Sequence, residues 1–493
     1  MPAEKDPKNG SLPRWLVWCA LGGIAAVFLY LRLRNIHQVL PWDEAQLALT
    51  IRSFSAGQKD VWSSLARIHP PFYLWLMSGV ARLLSAGGAI YRFFSVVFSF
   101  GTLAVTYLLA RRLYGEKVAL LAAFCLAVMP AALVMDTWVK QDPLADLLVV
   151  LAIFLFVREN WVWAGIAFGA GMLTKETAIF ALLVIFLYSL ATWDSARMKR
   201  TAGVAGIGFL MSSWWYIWFS RGVGHSWEFF RTAGSEGALF GKPFLYYFTG
   251  LPRDLGWPLF VLLLAGLAAC VYHLAKRREK DYVLPLVWFG GIYLFLSVSV
   301  GKPYWMIPPT FPALALLCGI GALGALDLCS TVFKKEKPRK VAVVTVVAVV
   351  VAAGLVSGIT LGYLGYNKAK MEQYWDYAVS TKNDARLMRS GAGDTPVVVV
   401  LDEKSLDREA VLTYYLGDTH QIVLASGAMT DPEALLQRYV RQYFSNWLYI
   451  KKGQGAGYAA LVDSFLARLP ELAPFDMLRD TPWAYVLRLT PGP

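Results

Sequence analysis

Residues 142–200 read DPLADLLVVLAIFLFVRENWVWAGIAFGAGMLTKETAIFALLVIFLYSLATWDSARMKR. Three apolar runs are separated here by two kinds of junction. The junctions at Arg158 and at Arg197, Lys199 and Arg200 are basic, whereas Lys175-Glu176 interrupts the apolar sequence with almost no loop. An apolar run of roughly 18 or more residues can cross a bilayer, and short basic loops mark its cytoplasmic side. The same alternation continues in both directions. Arg111-Arg112 with Lys117, the cluster at 276–280 and the cluster at 334–340 are the other basic junctions. If all of them face the cytoplasm, the runs between them go out and return in pairs.

Helix 1 then runs out at about 14–31 and helix 2 returns at about 91–110. Helices 3 and 4 flank Asp142, helices 5 and 6 flank Lys175, helices 7 and 8 flank an outer loop at 221–254, and helices 9 and 10 flank Lys302. Helix 11, at about 340–363, exits last, for about eleven spans. Residues 71–84 are apolar but short and interrupted by Arg82. Counting them as a span would put every later basic cluster outside, so they read as a helix lying in the outer interface. The amphipathic stretch 44–54 reads the same way.

Beyond helix 11 the composition becomes that of a globular domain. Residues 396–401 (PVVVVL), 421–424, 447–450 and 484–489 read as strands, and 409–416, 432–444 and 458–469 as amphipathic helices. Strands alternating with helices predict a small α/β domain. It carries no GxGxxG or phosphate-binding loop, so a structural or acceptor-binding role is expected of it. The expected organisation is a cytoplasmic N-terminus at 1–13, a transmembrane core at 14–364 and an extracytoplasmic α/β domain at 365–493.

Composition agrees with a polytopic α-helical membrane protein: 57% of residues are hydrophobic and 16% charged, against ~25% charged in a soluble domain. A net charge of +13 in a soluble chain would point to nucleic acid. Here the positive residues sit between apolar runs and act as topology signals, and no nucleic-acid motif accompanies them. The five cysteines (Cys19, Cys125, Cys270, Cys318, Cys329) lie in or beside apolar runs without CxxC spacing, so no disulfide framework is expected. The first apolar run, 15–31, is too long for a cleaved signal and reads as a retained helix.

Five short elements could carry chemistry, and the topology puts all of them on the outer face. Pro41-Trp42-Asp43-Glu44 places two adjacent acids at a helix start, where they favour the helix dipole or serve as a general base. His69-Pro70-Pro71 opens the second interfacial helix; His69 is a headgroup-level polar residue or a phosphate contact. Asp142 precedes Pro143 and suits an N-cap. Lys175 in Leu173-Thr174-Lys175-Glu176 pairs with Glu176, snorkels, or binds phosphate. In Gly301-Lys302-Pro303-Tyr304-Trp305, Lys302 and Tyr304 are candidate substrate contacts. Together, carboxylates that can activate an acceptor hydroxyl and cations that can stabilise a departing phosphate share one side of the membrane.

The order Trp42-Asp43-Glu44, His69-Pro70-Pro71, Tyr91-Arg92, Arg111-Arg112-Leu113-Tyr114-Gly115, Asp142-Pro143, Leu173-Thr174-Lys175 and Lys302 with Pro309 and Pro312 resembles the C-type glycosyltransferase (GT-C) superfamily. Within it the pattern is most similar to the protein-mannosyltransferase-like branch that includes the lipid A aminoarabinose transferases, over roughly residues 14–320. The resemblance implies an inverting transfer from a polyprenyl-phosphate sugar to a lipid, glycan or protein acceptor. The enzyme would lie in the inner membrane, its site facing the periplasm or exterior. Asp43 matches the first-loop catalytic acid and would be the general base, with Glu44 orienting it or binding acceptor. Asp142 matches the second acid, and Lys175 and Lys302 would contact the carrier phosphate. The aminoarabinose transferases also hold zinc, but two of the matching positions lack ligands: Ile68 beside His69, and Gly241-Lys242-Pro243-Phe244. The cofactor is left unassigned, a divalent metal stays open, and Lys242 is read as replacing the metal's charge near phosphate. The alternative to an enzyme is a transporter of the lipid-linked sugar; internal repeats and mid-span charges would mark it, and neither is evident.

Overall fold

A computed structural model describes residues 12–34, 36–57, 70–84, 87–219, 242–299, 302, 304–332, 352, 354–356, 372–392, 395–401, 410–417, 421–441, 447–452 and 456–489. Residue 69 lies outside them. Of the eleventh helix expected at about 340–363, only 352 and 354–356 are described, and they are helical. The chain is an α-helical polytopic membrane protein with a small C-terminal α/β part. It forms two compact units, 1–37 with 53–369, and 38–52 with 370–493.

The first unit begins with α1 (Arg14–Leu33); α2 (Trp42–Ser55) belongs mainly to the second. The first unit continues with α3 (Phe72–Leu84), α4 (Gly88–Tyr114), α5 (Glu116–Val128), α6 (Pro130–Met135), α7 (Asp142–Val157), α8 (Trp161–Met172), α9 (Ile179–Ala191) and α10 (Ser195–Trp214), which runs into a π-helical turn, Trp215–Phe219. It ends with α11 (Tyr246–Leu255), α12 (Trp257–Tyr272), α13 (Val283–Val298) and α14 (Phe311–Val332). Among the described residues, five helical stretches are long and apolar enough to cross a membrane: Arg14–Leu33, Gly88–Tyr114, Trp257–Arg277, Lys280–Val298 and Pro308–Asp327. The apolar helices α8 and α9 are shorter because polar junctions stop them. Large apolar side chains face outward along the bundle, Leu210 at 79% and Val298 at 76% exposure, as hydrocarbon solvent requires.

Between helices in lipid there is little hydrophobic driving force, so close packing at small residues takes its place. A Cβ at Gly266 of α12 would lie 1.9 Å from the Leu317 carbonyl oxygen of α14, and one at Gly321 of α14 would lie 2.1 Å from that of Leu262. Gly319 opposes α5 in the same way, 2.8 Å from the Ala122 nitrogen. These three glycines let α5, α12 and α14 touch backbone to backbone.

The second unit contains α2, α15 (Glu372–Ala392), β1 (Val397–Leu401), α16 (Ala410–Leu416), β2 (Gln421–Ala425), α17 (Pro432–Leu435) with a π-helical continuation Leu436–Arg441, β3 (Trp447–Lys451), α18 (Ala456–Leu472), β4 (Phe475–Asp480) and β5 (Ala484–Leu489). The sheet order is β2-β1-β3-β5-β4, parallel over the first three strands and antiparallel thereafter. β1 is buried on both faces, which explains its unbroken valine run. Val398 and Val400 pack with Leu435, Val462 and Phe465 on one side, while Val397, Val399 and Leu401 pack with Met388, Leu412 and Leu416 on the other. The result is three layers, helix–sheet–helix. The expected helix at 432–444 is a single α-helical turn widening into the π-helical one. Two elements escape the sequence pattern: α15, which is polar overall, and β4, whose mostly exposed residues (Met477 43%, Leu478 40%) show no apolar alternation.

β4 is tied to α15 by Arg479 Nε, 2.8 Å from Asp384 Oδ1. Burial pushes the Asp384 carboxyl up to about 6 against the pull of that guanidinium. A carboxyl raised in the folded state stabilises while protonated; its contribution is full below pH ~4 and lost as pH rises through about 6. Asp384→Asn should therefore gain stability relative to the parent protein between about pH 4 and pH 7, measured as melting of strands 397–401 by hydrogen exchange in the full-length protein. In the first unit, Gly266→Val should lower the melting temperature sharply and Gly290→Val, with open space around its Cβ, should not.

Candidate active site

The head of α7 is built around a proline. Pro143 lies in the first turn, where a missing N–H costs nothing. Gln141 occupies the N-cap position but makes no side-chain cap. Asp142 does not cap the helix either, contrary to the simplest sequence expectation: its carboxylate lies 2.5 Å from Lys175 Nζ through Oδ1. Lys175 pairs across to α7 rather than with its neighbour Glu176. Both partners are buried, Asp142 at 5% and Lys175 at 8% exposure. Asp142 Oδ2 and Gln141 Nε2 are enclosed without a protein partner among the described residues. The pair thus lies beside one acceptor and one donor that the described protein residues leave unused.

Lys175 reaches α7 because the chain around it is extended (φ −159°, ψ 146°) between α8 and the 3-10 turn Glu176–Ala178. The Thr174 and Lys175 amides both donate to the Gly171 carbonyl at 2.8 Å. At the end of α8, two further carbonyls need donors that lipid cannot supply. The Met172 carbonyl accepts from Tyr216 Oη at 2.8 Å, and the Leu173 carbonyl from the Phe72 amide at 2.9 Å. The Pro70-Pro71-Phe72 entry of α3 and the Leu173-Thr174-Lys175 turn, about a hundred residues apart in sequence, are therefore one piece of structure.

The loop 136–141 brings α6 to α7. Lys140 Nζ lies 4.9 Å from the Trp138 ring centroid and 5.4 Å from that of Trp305, which brings the segment around Lys302 to the same loop. Lys302 is buried at 4% exposure and donates to the Ser299 carbonyl; desolvation lowers its pKa, so it gives up a proton more readily than a free lysine. Tyr304 lies in a one-turn 3-10 helix, Tyr304–Met306. Asp146, one turn beyond Asp142 on the same helix face, is buried at 8% exposure and absent from the sequence expectation. Its signal was a carboxylate inside an otherwise apolar run, which in a membrane marks a polar interior.

Asp43 and Glu44 belong to the second unit, where both lie in the first turn of α2. Asp43 is exposed and Glu44 is buried at 1% exposure. The Leu40 amide just before them donates to Tyr415 Oη at 2.9 Å, and Arg52 lies over the Tyr414 ring, so α2 is held to α16. Lys242 is half-buried at the start of the segment leading to α11. An isoleucine at 68 and an ammonium at 242 are not zinc donors, so this donor set does not fit the metal implied by the resemblance.

The family described as dolichyl-phosphate-mannose-protein mannosyltransferase matches residues 68–218, the stretch that holds Phe72, Asp142, Lys175 and Tyr216. An uncharacterised protein of Aquifex aeolicus is 27% identical over 265 residues, 50% of this chain and 52% of that protein. Undecaprenyl phosphate-α-4-amino-4-deoxy-L-arabinose arabinosyl transferase 1 of Pseudomonas fluorescens is 29% identical over 244 residues, 44% of this chain and 43% of its own. The chain thus spans about half the length of the curated relatives it matches. Two solved structures share the fold over nearly the whole chain. ArnT from Cupriavidus metallidurans, bound to undecaprenyl phosphate, superposes with a TM-score of 0.64 at 16% identity, covering 97% of this chain and 98% of that one. The oligosaccharyltransferase of Archaeoglobus fulgidus gives 0.61 at 14% identity, covering 96% and 74%.

Breaking the buried pair strands a charge. Lys175→Met should cost about 3–5 kcal/mol of stability, read as a lowered melting temperature of the purified protein. Lys175→Arg should lose much less.

Proposed function

We propose that this chain, a membrane protein of the C-type glycosyltransferase superfamily, transfers a monosaccharide from a polyprenyl-phosphate carrier to a lipid, glycan or protein acceptor at the outer face of the membrane, with inversion at the anomeric carbon. The observation that carries this reading is the Asp142–Lys175 pair. It is enclosed, it follows an α8 end whose Met172 and Leu173 carbonyls are held by α3 and the π-helical turn of α10, and it lies beside unspent hydrogen-bonding capacity at Asp142 Oδ2 and Gln141 Nε2. The ArnT structure of the same fold was solved with undecaprenyl phosphate bound, which supports a carrier of that chemical class.

In this reading Asp43, the exposed acid of the α2 head, takes the proton of the acceptor hydroxyl. The freed oxygen attacks the anomeric carbon from the face opposite the phosphate. The bond from that carbon to the phosphate oxygen breaks, and the oxygen leaves with the electron pair. Glu44, buried beneath, orients the base. Asp142 has one oxygen committed to Lys175 and is therefore a binding group rather than a second base; its other oxygen accepts from a sugar hydroxyl. Lys175, Lys302 and Lys242 supply positive charge for the departing phosphate, and Tyr304 and His69 complete the substrate contacts. The C-terminal α/β unit, which holds α2 through Tyr415, takes part in acceptor selection.

Asp43→Asn should lower kcat by about 10²–10⁴-fold in a transfer assay with purified protein and a polyprenyl-phosphate sugar, while the donor KM stays close to that of the parent. Normal turnover in that variant would remove Asp43 as the base.

A further inference from the structure

The loop that delivers Lys140, Gln141 and Asp142 has no regular structure of its own, and what fixes it lies at the far end. Arg32, in the last turn of α1, is fully enclosed. Its Nε and Nη2 both donate to Asp136 Oδ2, at 2.8 and 2.6 Å, at the first residue of the loop. Its Nη1 donates to the Ala127 carbonyl at 2.9 Å, its Nη2 approaches the Leu126 carbonyl at 3.5 Å, and its guanidinium lies 3.7 Å above the Phe28 ring. These carbonyls are in want of donors for a local reason. Pro130 begins α6 and has no N–H to return to the Leu126 carbonyl one turn back, and α5 ends at Val128 before the extended Met129 (φ −63°, ψ 119°), so the Ala127 carbonyl lies in its last turn. Arg32 thus repairs a helix break in α5–α6 with one edge of its fork and holds the loop with the other. The next residues are pinned from α4: Ser95 Oγ donates to the Trp138 carbonyl at 2.7 Å, and Arg92 Nη1 reaches the Thr137 carbonyl at 3.5 Å.

A buried ion pair adds little net stability over an apolar pair of the same volume, so its consequence here is geometric. Arg32 joins three chain segments at one planar group: the end of α1, the break between α5 and α6, and the start of the loop that ends at Asp142. A lysine in its place could satisfy only part of this set, because an ammonium lacks the fork. We infer that Arg32 and Asp136 are positioning residues that set the register of the α7 head, and with it the placement of Lys140, Gln141 and Asp142 against substrate. The consequence for turnover rests on the transfer activity proposed above; the consequence for the loop does not.

The test uses the full-length protein in detergent or nanodiscs with two variants, Arg32→Lys, which keeps the ion pair, and Arg32→Met/Asp136→Leu, which removes both charges. Amide exchange across 136–142 should quicken by about tenfold in each, with the melting temperature within a few degrees of the parent for Arg32→Lys. In the transfer assay kcat/KM should fall at least about tenfold in the double variant and by less in Arg32→Lys. Parent-like exchange over 136–142 in both variants would overturn the inference, as would full turnover in the double variant. Should the parent itself transfer no sugar, the proposed function fails while the exchange measurement still decides the role of Arg32.

Discussion

An ionic contact inside a membrane protein is expensive to make and more expensive to break, and the Asp142–Lys175 pair is the contact around which the junction of α7, α8 and α9 is arranged. A lone lysine at the end of α8 would have to reach water or lose its proton. Paired with Asp142 it stays between helices, and that fixes where α7 begins, where α8 stops and how the chain must turn between α8 and α9. The extended backbone at Lys175 is the result.

Fixing the turn leaves peptide carbonyls exposed to an environment without donors, and the molecule answers each with a group from elsewhere. Phe72 and Tyr216 serve the end of α8, and Arg32 serves the break before α6. Each donor comes from a segment distant in sequence, so meeting the backbone's needs also gathers the polar residues. Helices α5, α12 and α14 pack on one another through Gly266, Gly319 and Gly321. Close packing of that kind would suit the proposed transfer, whose donors must be in place before a charged phosphate departs.

Much of the fold was legible because a bilayer imposes simple rules. Apolar length and the placement of arginines and lysines locate α1 within two residues of the expected 14–31, and α4 within four of 91–110. The valine run at β1 reads correctly because it is buried on both faces. What the sequence hides are elements whose stability comes from partners rather than from their own pattern: β4 is an exposed edge paired to β5, and α15 is a polar helix with an apolar seam at Ala385, Met388 and Ala392. The same holds at the site. Asp142 and Lys175 are conspicuous as isolated charges, but nothing local says that they meet, and an N-cap explains Asp142 equally well. Arg32 carries no signal of its own in the sequence, and its role shows only in the bond to Asp136 and the helix break at Pro130. The joining of α2 to α16 through Leu40 and Tyr415, residues 375 positions apart, has no sequence signal at all.

In the proposed function a sugar would be held by the Asp142 carboxylate and the Gln141 amide while a phosphate leaves against lysines. The most direct test of this transfer is chemical stoichiometry. Purified protein in proteoliposomes should convert a polyprenyl-phosphate sugar into free polyprenyl phosphate and glycosylated acceptor in equal amounts, and the product's anomeric configuration, read by NMR, should be opposite to that of the donor. Movement of the intact carrier across the bilayer with no release of polyprenyl phosphate would contradict the account and identify the protein as a transporter.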